Sequence, residues 1–118
     1  MTNDQIRRIR EELLREYSGA IIKVTADQAE IIAEIEPSRA VAVIERSLPH
    51  FHVNMTEVYR ILRGRLFVAC AGRGHVLGPG DSLRIESGQI HSARGANEPA
   101  WVEVLSEPPW TAEDHIIL

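Results

Sequence analysis

Apolar residues recur at helical spacing at the start of the chain, where Ile6, Ile9, Leu13, Leu14 and Tyr17 fall along one stripe. Thr2 and Gln5 stand at the positions of a capping box, and Gly19 closes the run. The spacing predicts an amphipathic helix over residues 2–17. Its stripe is narrow, so the helix is expected to lie across a sheet or against another subunit. Past Gly19 the period shortens. Ala20–Val24, Glu30–Glu36 and Arg39–Glu45 are rich in Ile and Val, and Pro37-Ser38 separates the last two. They read as strands. In the middle one Glu30, Glu34 and Glu36 share a parity, which is expected to be its solvated face. Alanine and glutamate over 27–36 also suit a helix, and a short apolar run does not separate the two.

After Pro49 strand signals come at short intervals, over 57–62, 65–71, 75–76, 82–85, 90–93 and 101–105. Turn residues fall between them, at Arg63-Gly64, Gly72–Gly74, Gly78–Asp81, Ser87-Gly88 and Gly95–Pro99. Many short strands after a single helix, with no alternation of helix and strand, predict an all-β fold. The expected form is an antiparallel jelly-roll β-barrel with an N-terminal α-helix. The expected organisation is a helix at 1–19, a barrel at 20–107 and a tail at 108–118, since 118 residues suit one core. Pro108 and Pro109 exclude a regular inner strand, while Trp110 and Ile116-Ile117-Leu118 call for burial. The tail is therefore expected to fold over its own barrel or to clasp a neighbour.

Composition narrows the field of functions. Hydrophobic residues are 44% and charged residues 25% of the chain, which fits a globular protein rather than a disordered one. A net charge of -4 with scattered arginines offers no footprint for a phosphate backbone, so no nucleic-acid partner is expected. Lys23 is the only lysine, which confines Schiff-base chemistry to one position. Cys70 is the only cysteine, so no internal disulfide forms and an oxidising compartment is not required. No run approaches the roughly 18 apolar residues that span a membrane, and a cytoplasmic protein without a membrane partner is expected.

The chemistry is concentrated in His50-Phe51-His52 and Glu57. In an extended strand His50 and His52 point to the same side, roughly 7 Å apart at the backbone, a gap a bound metal bridges. Imidazole nitrogen and carboxylate oxygen both ligate first-row divalent metals at about 2.0–2.2 Å. A short turn at Val53–Thr56 returns Glu57 to the histidines, and His91, just past Ser87-Gly88, offers a fourth ligand.

These residues carry a resemblance to the cupin superfamily. Its first motif, H-x-H-x4-E-x6-G, is met by His50, His52, Glu57 and Gly64. Its second, G-x5-P-x-G-x2-H-x3-N, is met by Gly80, Gly88 and His91, with Glu86 in place of the proline and Gly95 in place of the asparagine. Ile44 stands where the first motif usually opens with glycine. The likeness covers about residues 40–105, and the tail more weakly resembles small cupins described as mannose-6-phosphate isomerase-like. It implies one divalent transition metal (Mn, Fe, Ni, Zn or Cu), a small-molecule substrate and a homodimer. Three functions stay open. One is metal-dependent isomerisation or epimerisation of a sugar or hydroxy acid, another is a non-haem iron dioxygenase, and the third is a binding module without turnover.

Other residues are weighed by parity. Tyr59 shares the inner face with Glu57, where its phenol would donate to a substrate oxygen, act as a base when deprotonated, or simply pack. Arg60, Arg84 and Arg94 have the opposite parity and are expected to face water or a partner. Glu86 reads as a solvated turn carboxylate, Phe51 as packing under the barrel wall, and Cys70 as a buried apolar residue. His75 and His115 match no ligand spacing.

Overall fold

The computed structural model describes residues 1–118. Helix α1 (Asn3–Glu16) is followed by β1 (Ile21–Val24), β2 (Glu30–Glu36), β3 (Arg39–Ile44), β4 (Arg46–Phe51), β5 (Thr56–Arg63) and β6 (Leu66–Cys70). Then come β7 (Arg73–Leu77), β8 (Ser82–Ile85), β9 (His91–Gly95), β10 (Ala100–Glu107), a 3-10 turn at Ala112–Asp114 and β11 (Ile116–Ile117). The strands form two antiparallel sheets, one in the order β1-β2-β3-β10-β5-β8 and the other β11-β4-β9-β6-β7. This is the jelly-roll arrangement that the strand spacing predicts. Between the sheets lies a core that includes Ile44, Tyr59, Ile61, Leu66, Val68, Ile85 and Val102.

The predicted helix and its cap are both present. The Gln5 backbone N–H donates to Thr2 Oγ1 at 3.1 Å, and the Thr2 N–H donates to Gln5 Oε1 at 2.8 Å. Ile6 and Leu13 pack on Ile31, Ala33, Val41, Val43 and Trp101, so α1 covers the outer face of the larger sheet. Arg63 fastens the helix from outside. Its guanidinium bonds Glu12 at 2.7 Å and Glu16 at 2.5 Å, and lies 4.0 Å from the Trp101 ring.

That placement decides which way β2 faces. The segment is a strand, and its Ile31 and Ala33 are fully buried beneath α1. Alternation then sends Glu30, Ile32 and Glu34 into the hollow between the sheets. The expectation of a solvated glutamate face is thus corrected for Glu30 and Glu34, which are only partly exposed and line the cavity, while Glu36 is exposed as expected.

Two strands escape the pattern in the sequence. β4 contains Pro49, which cannot donate to a ladder, and its pairing with β9 slips between Ser47 and His50. β11 is only two residues long and pairs Ile116 with Phe51 and Ile117 with His50. The tail does fold back on its own barrel, yet Trp110, Ile117 and Leu118 stay exposed at 45%, 57% and 67%. Gly95, the departure from the second motif, has a steric reason. A Cβ there would collide with the Glu98 carbonyl oxygen and lie 2.9 Å from that of Ile44. No helix is long and apolar enough to cross a membrane.

Candidate metal centre

Four elements bring the predicted ligands together. His50 is the penultimate residue of β4, His52 follows the strand, Glu57 is the second residue of β5 and His91 opens β9. His50 and His91 are direct cross-strand neighbours. One ligand atom from each of His50, His52, Glu57 and His91 lies within 4.8 Å of the others, and all four side chains are buried.

The imidazoles are oriented from behind. His50 Nδ1 lies 2.7 Å from the Leu48 carbonyl oxygen, His52 Nδ1 3.0 Å from that of Asp114, and His91 Nδ1 2.9 Å from that of Gln89. A carbonyl only accepts, so each Nδ1 carries a proton, and a ring without a second proton keeps its Nε2 lone pair for a ligand. Two of these nitrogens meet one oxygen: Glu57 Oε1 is 3.0 Å from His52 Nε2 and 3.2 Å from His91 Nε2. His52 Nε2 is buried without a hydrogen bond of acceptable geometry, despite its nearness to that carboxylate. Bare lone pairs crowded on a carboxylate in a buried place are a donor set suited to a cation. The residues fit a metal ion; they do not distinguish among the divalent transition metals.

Electrostatics keep these groups close to their ligating forms. Burial and the neighbouring His91 push His50 down to about 4, so it is neutral near pH 7. Burial alone would raise Glu57, but the adjacent imidazoles of His52 and His91 outweigh it and hold the carboxyl down at about 2. His52 is the exception. Burial opposes its protonation, yet the adjacent Glu57 carboxylate prevails and its affinity for a proton rises.

The centre sits on the wall of a cavity of about 520 Å³ that His50, His52 and Glu57 line. Tyr59 lines it too, 5% exposed, its ring 6.3 Å from that of His91. Burial, with Glu57 and Glu30 nearby, raises the phenol well above its ordinary range. That direction favours the phenol as an O–H donor. Glu30 faces the same space without an ion-pair partner, and burial, followed by the charges of Glu57 and Asp27, raises it to about 7.

Three contributors went unseen in the sequence. Parity alone places Glu30 on the solvated side of its strand, whereas it lines the cavity. His115 matched no spacing, yet its ring stacks 4.4 Å from His50 and its Nδ1 is buried without a partner. Asp114 carries no motif at all. A usable signal existed for Glu30 alone: the opposite face, Ile31 and Ala33, matches the apolar stripe of α1. The residues expected to lie elsewhere do so. Glu86 is exposed and bonds Arg84, Arg60 reaches Glu103 at 3.2 Å outside the barrel, and Arg94 lies 4.6 Å from the Phe67 ring. Cys70 is buried in the core.

A two-sheet jelly roll with a histidine and glutamate group on its inner wall defines a class of small β-barrel proteins with a potential metal site. The chain belongs to the cupin family, whose Cupin domain matches residues 35–105. Solved structures agree on the fold. KdgF from Halomonas sp. superposes with a TM-score of 0.66 at 17% identity, covering 79% of this chain and 89% of that one. Streptomyces Pac13, a nucleoside dehydratase, gives 0.73 at 12% identity, covering 86% and 87%. A variant of Bacillus subtilis oxalate decarboxylase gives 0.69 at 18% identity, covering 86% of this chain and 31% of that one. No curated protein sequence matches the chain.

Proposed function

We propose that this protein is a metal-dependent enzyme that isomerises or epimerises a small oxygenated substrate, with His50, His52, Glu57 and His91 as the metal ligands. One observation carries the reading: three of the four, His50, His52 and Glu57, line a cavity of about 520 Å³ that two proton-bearing side chains, Glu30 and Tyr59, also line. A bound divalent ion supplies Lewis acidity toward a carbonyl or hydroxyl oxygen. The chain supplies the proton handling. Glu30, raised to about 7, is present in both protonation states near neutrality and can take or return a proton. Tyr59 keeps its proton and donates a hydrogen bond to a substrate oxygen. Ile32, Ala42 and Val104 make part of the wall apolar, which limits competing water.

Charge favours an uncharged, hydroxyl-bearing substrate over a multiply charged anion. Each cation at the cavity already faces an acid: Lys23 is 3.8 Å from Glu34, Arg46 is 3.9 Å from Asp27, and Arg39 is 3.0 Å from Glu103. Glu57 is matched by the proposed ion, and Glu30 adds negative charge that no arginine offsets. The exposed Trp110 ring at the mouth offers a flat face for a sugar or similar ring. Pairing into a homodimer belongs to the same proposal, and a monomer by light scattering would remove it.

The test is loss of solvent-exchangeable carbon-bound protons. Candidate ketoses, aldoses and hydroxy acids are incubated in deuterated water with the metal-loaded protein and followed by proton NMR. Deuterium uptake beside a carbonyl, abolished by Glu30→Gln, is the expected result. Oxygen consumption with iron and none with zinc would make it a dioxygenase instead, and tight binding without turnover would make it a binding module.

A further inference from the structure

The C-terminal tail reaches the centre through one residue that no motif marks. The Asp114 side chain, 8% exposed, accepts backbone hydrogen bonds from three consecutive residues: Val53 at 2.8 Å, Asn54 at 2.9 Å and Met55 at 2.9 Å. Those residues are the turn between His52 and Glu57. The same residue's backbone carbonyl accepts from His52 Nδ1 at 3.0 Å. Asp114 thus holds the link between two ligands with its side chain and the ring of one ligand with its main chain.

We infer that Asp114 is a positioning residue of the metal centre, and that the tail from Thr111 to Leu118 is a structural part of that centre rather than an appendage. The inference rests on the reading of His50, His52, Glu57 and His91 as ligands. Its physical basis is the cost of the alternative. Three successive N–H groups directed inward need acceptors, which the two Asp114 carboxylate oxygens supply, and without them the turn relaxes and His52 and Glu57 lose their register. The outer partners of ligating histidines fix tautomer and ring direction, and their loss weakens metal binding by about 10- to 100-fold. The tail is tied down independently, since β11 pairs with β4 and the Leu118 N–H donates to the Pro49 carbonyl at 3.2 Å. His115 meanwhile stacks on His50 from the same segment.

Zinc affinity is measured by competition with a coloured chelator for wild type, Asp114→Asn and Asp81→Asn, and cobalt spectra report the ligand field. Asp81 is the control, because it caps a turn in the same way, accepting from the Gly78 N–H at 2.8 Å, and lies outside the centre. Asp114→Asn is expected to bind zinc about 10- to 100-fold more weakly with an altered cobalt spectrum, while Asp81→Asn keeps wild-type affinity. Wild-type affinity and spectrum in Asp114→Asn overturn the inference while leaving the metal site standing. A wild-type protein that binds neither metal overturns the metal reading and this inference together. Should Asp114→Asn not fold, hydrogen exchange on the wild type decides. Binding linkage is reciprocal, so metal must slow exchange at residues 111–118, and exchange there that ignores the metal overturns the inference.

Discussion

Glu30 is the residue whose replacement tests the electrostatic account most sharply. It enters the cavity at the head of β2, lacks an ion-pair partner and shares the space with Glu57. Burial first, then the charges of Glu57 and Asp27, moves it from 4.5 to about 7. In the unfolded chain the carboxyl ionises near 4.5, while in the folded protein it keeps its proton until about 7. The stability this proton confers is complete below pH 4.5 and is lost as pH rises through about 7. Above that, holding the charged form in the cavity costs up to about 3 kcal/mol, from roughly 1.4 kcal/mol per unit. Glutamine carries no charge and escapes that cost. Glu30→Gln, free of metal, should therefore gain up to about 3 kcal/mol over wild type at pH 8.5, with the advantage shrinking towards pH 5. Urea denaturation of both proteins at the two pH values reads the difference directly. Bound metal should narrow the gap, since a cation offsets the repulsion between Glu30 and Glu57. Equal stabilities at pH 8.5, or a gap that does not change with pH, would refute the reasoning.

Other outcomes follow from packing and ligation. Leu13→Ala empties a fully buried site between α1 and the larger sheet and should cost about 2–5 kcal/mol in chemical denaturation; a loss below 1 kcal/mol would show that the helix does not cover that sheet. Gly95→Asn, which restores the usual family residue, should destabilise the fold through collision with the Glu98 and Ile44 carbonyls, seen as a lowered Tm. A neutral result would mean that the strand end yields. His52→Ala should lose most of the bound metal by elemental analysis with the fold intact by circular dichroism, and full occupancy would exclude His52 as a ligand.

The sequence made some features legible and hid others for identifiable reasons. Periodicity exposed α1 because its cap residues and apolar stripe are local, and it exposed most strands because Gly and Pro punctuate them. It did not expose β4, where Pro49 breaks the strand signal, nor β11, where two residues are too few to carry a period. Alternation in β2 separated two faces correctly but did not say which one turns inward. Only the docking of α1 on Ile31 and Ala33 decides that, and so sends Glu30 into the cavity. The four candidate ligands were readable because their spacing around β4, β5 and β9 matches the geometry that joins them. Asp114 and His115 were not, because they reach the centre across some 60 residues of chain, through contacts that leave no local pattern.

The most direct measurement is anomalous X-ray scattering from crystals of the protein as purified, paired with elemental analysis of the same sample. The account predicts one transition metal per chain, with a single peak about 2.0–2.2 Å from Nε2 of His50, His52 and His91 and from a Glu57 oxygen. Protein that stays metal-free after incubation with each candidate ion, or a peak anywhere else in the barrel, would contradict it.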